Sequence, residues 1–364
     1  MDFTTTEAQR DLAALTRQIL ASRLTPDRLR ELDANDEPFD RALWADLAGA
    51  GVLAAALPKR AGGDDYGLLE QCSVLAELGR AVAPVPYLAS IVTAASAIAE
   101  FGDDAQVQRW AVPAGRGELV LTAALAEGTV QASRSAGTWS LSGSVPVVPA
   151  APYADAILVP AADGAAVFLV TPGDEGVSVE PQRVAGGEGA GWLDLSGVSL
   201  DHDRRLGGGE VTGWLRARET IGLCAAQLGV AERALELTAE YARARVQFGR
   251  AIGEFQAVAQ RLADAYIDVE GIRLTLWQAA WLLSEGRPAA TEVSTAKFWA
   301  ADAGHRVAHT AVHVHGGVGI DLDHPLHRYF LAAKHHEFTL GGATAQLLCI
   351  GAALALPDTA PEVR

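Results

Sequence analysis

Cysteine is scarce, with 3 residues in 364, and none stands at metal-ligand spacing from another. Cys72 and Cys224 fall on apolar helical stripes and Cys349 in an apolar run. Buried thiols in a reducing cytoplasm are therefore expected, not a disulfide framework. Basic residues are also few: 29 Lys and Arg face 45 Asp and Glu, a net charge of −16. A chain this acidic repels nucleic acid and anionic lipid, so neither is an expected partner. A local basic pocket can still take an anionic ligand. Apolar runs long enough to span a bilayer are missing. The N-terminus has no basic n-region and no signal-like core. Thr4 followed by Glu7 reads there as a capping box that opens a helix. The expected setting is cytoplasmic. The length is a soft prior for two or three domains, and 49% hydrophobic residues suffice for a large core.

What is present divides into three stretches, an α+β chain that is mainly α. Residues 1–116 read as a helical domain. Leu12, Leu15, Ile19 and Leu20 make one stripe, Leu43, Leu47 and Leu53 a second, and Leu68, Cys72 and Leu75 a third, with Gly79 in a C-cap position. Residues 117–206 carry short strand-like runs around Leu121, Leu141, Leu158, Phe168 and Leu193, separated by Gly, Pro and Asp, which suggests a small β-barrel or sandwich. Residues 207–364 return to long helices. Ile221, Cys224, Leu228, Ala231 and Leu235 form one stripe, and the run from Val258 to Leu283 holds its spacing for about four heptads, as in a four-helix bundle.

Two stretches of this last part carry groups suited to a nucleotide diphosphate. In the first, Arg245 offers a forked, permanently charged donor set. Phe248 offers an apolar face to a ring system. In the second, Gly316 and Gly317 let a backbone approach a ligand closely. Histidines are dense nearby, and His309 and His313 stand four apart, but no Glu-carrying zinc motif accompanies them, so no metal is expected. The bland alternative is a surface arginine after a helix with a packing phenylalanine.

The run Arg245, Phe248, Gly249, Ile252, Phe255 and Gln256, with Gly316-Gly317-x-Gly319 after it, resembles the cofactor segments of the acyl-CoA dehydrogenase family of flavoenzymes. The order of helices, β-domain and helical bundle is also that family's architecture. The resemblance implies FAD as cofactor, with Arg245 on its diphosphate and Phe248, Ile252 and Gln256 along the nucleotide, reached across a subunit boundary. It also implies contacts from His313, which replaces the usual Gln, from Gly316 and Gly317, and from Thr344 and Gln346. It further implies an acyl-CoA thioester substrate, α,β-desaturation, and electron-transfer flavoprotein as acceptor.

The catalytic base departs from the family pattern. Gly342 stands where the usual Glu would be. A subgroup similar to isovaleryl-CoA dehydrogenase carries the base on the first bundle helix, and that register lands on Glu219. A buried Glu219 would have a raised pKa and be a stronger base; a solvated residue at a helix start is the competing expectation. Glu337 is a second candidate, out of register. The loop that cradles the flavin ring in full members survives only in fragments over Leu121 to Gly128. That combination resembles the accessory chain of bacterial heteromeric steroid side-chain acyl-CoA dehydrogenases, α2β2 tetramers that share FAD between unlike subunits. The alternatives are a self-sufficient homotetramer with Glu219 as base, a flavin monooxygenase on the same fold, and a non-catalytic structural or regulatory interaction subunit.

Overall fold

The structure is a computed structural model that describes residues 3–34, 38–135, 137–187 and 189–355. Helices α1 (Glu7–Arg23), α2 (Pro26–Ala34), α3 (Arg41–Gly49) and α4 (Leu68–Ala81) come first. A π-helical turn over Leu88–Ala95 continues into α5 (Ser96–Phe101), followed by the short α6 (Asp104–Gln106) and α7 (Val112–Gly115). The cap of α1 is Thr6, not Thr4: its hydroxyl accepts from the Gln9 N–H, while the Gln9 side chain accepts from the Thr6 N–H. Both frames satisfy the capping-box pattern. The later one wins because it puts Gln9 in line with the buried stripe of Leu12, Thr16 and Leu20.

Gly79 does not end α4, which runs on to Ala81. A Cβ at Gly79 would lie 2.1 Å from the Ala226 carbonyl, and one at Gly229 would lie 1.9 Å from the Ala76 carbonyl. The glycines therefore serve a close crossing between α4 and α8 (Gly209–Ala244). Helix α8 has 36 residues and is about 54 Å long. From Glu219 to Ala231 it is buried on every face, because α4, α9 (Gln256–Ser284), α10 (Ala290–His315) and α11 (Leu326–Phe338) surround it.

Between the helical parts lie two four-stranded sheets. One has the order β1 (Leu121–Ala123), β4 (Ala156–Ala161), β5 (Ala166–Val170), β8 (Arg205–Gly208). The other runs β2 (Thr129–Ser135), β3 (Thr138–Pro149), β7 (Gly189–Leu200), β6 (Val177–Arg183). Strands β4 and β5 read as continuous apolar runs because both of their faces are covered. Ile157, Val159, Phe168 and Val170 face the other sheet, whereas Leu158, Val167 and Leu169 join the helical core. Apolar runs do not mark β2 and β6, whose exposed Gln, Arg and Glu side chains hide the alternation, nor β8, which carries strand two residues past the boundary expected after 206.

The described residues end in α11 and α12 (Ala343–Ala355). No apolar stripe in the sequence marked α11. Both helices are rich in apolar residues, but a break over 339–342 separates them. Each has 13 residues, about 20 Å, which is shorter than the hydrocarbon core of a bilayer. Cys72 and Cys224 are buried as expected, and burial pushes the Cys224 thiol up to about 12. Cys349 is exposed on α12, contrary to the expectation of three buried thiols.

Candidate functional site

Helix α8 stops at Ala244, and the Arg245 N–H still donates to the Tyr241 carbonyl at 2.8 Å. A small hairpin follows. In it β9 (Val246–Gln247) pairs antiparallel with β10 (Arg250–Ala251), Gln247 opposite Arg250. Phe248 and Gly249 form the two-residue loop, with φ of 52° and 80°. Positive φ at both central residues is the pattern of a type I′ turn. Gly249 adopts it freely, but a bulky phenylalanine is strained there. The Phe248 ring is 94% exposed, with one edge contact to Phe255. The exposed ring is free to meet a ligand or another chain. The Ile252 N–H closes the hairpin on the Arg245 carbonyl at 2.8 Å, and exposed Gln256 opens α9. Among the described residues, nothing engages the exposed Arg245 guanidinium.

Helix α10 ends beside this hairpin. Gly316 takes φ 65° and ψ −142°, a conformation open only to glycine. Nothing lies within 4 Å of where a Cβ would stand at Gly316 or Gly317, so their backbone is free to approach a ligand. His313, one turn earlier, is exposed. Thr344 is exposed at the start of α12. Gln346 is buried, and its amide donates to the Leu340 and Gly341 carbonyls, which holds the turn before that helix.

Glu219 lies elsewhere. It is 5% exposed and accepts a short hydrogen bond from the Thr93 hydroxyl, so the solvated reading fails. It lines a cavity of about 140 Å³ together with Leu75, Leu88, Leu223, Tyr153 and His336. Glu337 does not line that cavity. Its carboxylate is paired with Lys334 at 2.6 Å and His305 at 3.1 Å. Counting 26 residues from Glu219 to Arg245 at 1.5 Å each puts them about 39 Å apart along one unbroken helix. The ring and the diphosphate of FAD are joined by a single ribityl chain, which cannot bridge that gap.

The stretch that would cradle a flavin ring is turned inward. The Thr122 hydroxyl is fully buried and donates to the Pro149 carbonyl at 2.5 Å, while Ala123, Ala124 and Leu125 are buried. The residues present thus fit the diphosphate end of FAD and do not fit its ring end.

Several histidines here titrate low. His315 is lowered by burial and by His324, against the pull of the Ala311 carbonyl, and His309 and His324 are lowered mainly by burial. A histidine with a depressed folded-state pKa contributes stability in full above its unfolded value near 6.5 and loses it as pH falls through the folded value. The thermal midpoint should therefore drop between pH 7 and pH 5, and His315→Phe should flatten part of that fall. A midpoint that rises on acidification contradicts this.

A family described as "Acyl-CoA dehydrogenase, N-terminal domain" matches residues 6–118, and "Acyl-CoA dehydrogenase, C-terminal domain" matches residues 207–355. The chain is 53% identical to acyl-CoA dehydrogenase FadE27 of Mycobacterium tuberculosis, over 98% of this chain and 99% of that protein. It is similar to a chain of the ChsE4–ChsE5 complex from Mycobacterium tuberculosis, with TM-score 0.95, 55% identity, and coverage of 98% and 99%. A chain of the Tcur3481–Tcur3483 steroid ACAD superposes with TM-score 0.90 and 41% identity, over 96% of this chain and 98% of that one.

Proposed function

Because the chain belongs to the acyl-CoA dehydrogenase family, we propose that it is one of two unlike subunits that share FAD sites in an α2β2 assembly. As a member of that family it is an FAD-dependent oxidoreductase. The proposed reaction is α,β-desaturation of an acyl-CoA thioester bearing a steroid side chain. The observation that carries the unlike-subunit reading is the inward-turned Thr122 stretch, which gives this chain no ring cradle of its own. The separation along α8, which keeps the Arg245 hairpin and the Glu219 cavity from serving one cofactor, supports a site completed across a subunit boundary. So does the likeness to a chain of the ChsE4–ChsE5 complex, and the steroid class follows the protein described as a steroid ACAD.

Bound FAD supplies the hydride acceptor. This chain's residues grip and orient it from across the interface. Arg245 pairs with the diphosphate oxygens, the Gly316–Gly317 backbone comes close to them, and Phe248 covers the nucleotide. Ile252, Gln256, His313 and Thr344 are the further proposed contacts, and the buried Gln346, whose amide donates to the Leu340 and Gly341 carbonyls, holds the turn before Thr344. Electron-transfer flavoprotein is the proposed acceptor.

Flavin content tests the reading. The purified chain alone should be colourless, and a co-expressed two-chain complex should carry one FAD per pair of chains. A yellow chain with one FAD per subunit would sink it.

A second reading rests on Glu219, a buried carboxylate that lines a cavity. In it the chain is a homotetramer with Glu219 as base. Glu219→Gln in the assembled enzyme discriminates the two. The shared-site reading expects a rate loss below roughly tenfold, whereas loss of a general base costs about a hundredfold or more.

A further inference from the structure

The two proposed cofactor turns sit at the ends of different helices, and one aromatic pair joins them. Tyr241, in the last turn of α8, stacks on His315, the last residue of α10, with ring centroids 4.3 Å apart and planes 24° from parallel. Each partner is tied to its turn. The Tyr241 carbonyl accepts the Arg245 N–H at 2.8 Å, at the root of the hairpin. His315 directly precedes Gly316, and a Cβ at Gly319 would lie 3.1 Å from the His315 Cβ, so the glycine turn folds back onto His315.

The stack is not needed to hold the helices together. Helices α8 and α10 already meet below it, where Ala234 packs with Ala311 and Leu326. At the last turn only the spacing of the two loops is at stake. The imidazole is fixed in place: His315 is 4% exposed, and its Nδ1 must donate, because the Ala311 carbonyl 2.8 Å away can only accept. The His324 ring also stands 5.2 Å away, tilted by 57°.

We infer that the Tyr241–His315 stack is the positioning pair of the shared site, setting the distance between the Arg245 hairpin and the Gly316–Gly317 turn so that both grip one diphosphate. This rests on the cofactor reading above. Neither residue needs to touch the cofactor. The stacked faces supply the effect, so an aromatic replacement preserves it.

The test is FAD titration into the apo two-chain complex, beside hydrogen exchange on the chain alone. His315→Ala and Tyr241→Ala should each weaken FAD binding about tenfold, while His315→Phe and Tyr241→Phe stay within about threefold of wild type. In an Arg245→Ala background, His315→Ala should add less than about threefold, because the two losses share one cause. In the chain alone, the alanine variants should speed exchange at residues 245–249 and 316–319 together and leave the middle of α8 protected.

A lowered thermal midpoint with unchanged FAD affinity would reduce the pair to ordinary packing and overturn the inference. Equal losses for His315→Phe and His315→Ala would overturn it as well, by assigning the effect to the ring nitrogens. Arg245→Ala without effect on FAD would remove the cofactor reading instead, and the exchange result would then decide whether the pair spaces the two turns.

Discussion

Arg245→Ala should weaken FAD binding to the assembled complex by about tenfold to a hundredfold, the equivalent of one charge-assisted hydrogen-bonding group on a phosphate at about 1.5–3 kcal/mol. The chain's own stability should stay within about 0.5 kcal/mol, because the guanidinium is exposed and engages nothing else among the described residues. That contrast separates a ligand-binding arginine from a structural one. Arg245→Lys keeps the charge and loses the fork, so it should fall between wild type and alanine. In the proposed assembly a partner subunit would exclude water from the completed site, so the loss should shrink at high salt less than it would for a surface ion pair. Fluorescence titration of FAD into the apo complex, paired with thermal melts of the chain alone, checks both halves. Unchanged FAD affinity would take Arg245 out of the site.

Much of this arrangement was readable in the sequence where local pattern and burial agree. The stripe from Val258 to Leu283 is a helix because its spacing matches one apolar face, and Ala265, Val269, Ile272, Leu276 and Ala279 are buried along it. Strands β4 and β5 were visible as apolar runs for the physical reason that both faces are covered. Where the reading slipped, a distant contact had overridden the local signal. Gly79 resembles a helix stop, yet it is glycine because Ala226 of α8 crosses it. Cys349 sits in an apolar run, yet it faces out, because most of α12 lies on the surface. For the candidate site, residue types were legible and positions were not. Arg245, Gly316 and Gly317 stand out by chemistry. The Tyr241–His315 stack and the cavity beside Glu219 depend on residues tens to hundreds of positions away, and the left-handed backbone at Phe248 is set by its own hairpin at a residue type that does not announce it.

Lys297 belongs to that second class, and its removal should produce a large loss of stability. Nothing in its sequence surroundings separates it from a solvated lysine, yet it is 0% exposed. Its ammonium donates to the carbonyls of His336 at 2.9 Å and Glu337 at 3.1 Å, in the last turn of α11. Those carbonyls are among the acceptors a helix end leaves unpaired, and the negative end of the helix dipole favours a cation there. Burial lowers the Lys297 pKa, and the neighbouring Cys224 and Glu337 act in the opposite sense. The same turn presents His335, His336 and Thr339 to the Glu219 cavity, and His336 is further tied to Gln227 at 3.1 Å. Lys297→Met keeps the apolar stem and strands two carbonyls, which should cost about 2 kcal/mol. Lys297→Ala adds a void in a closed core and should cost about 4 kcal/mol. Denaturant midpoints should fall in the order wild type, methionine, alanine. Arg245, on another helix end, should keep its FAD affinity in any methionine variant that still folds. A methionine variant as stable as wild type would mean that the buried charge costs as much as its two hydrogen bonds contribute, and that packing alone holds α11 in place.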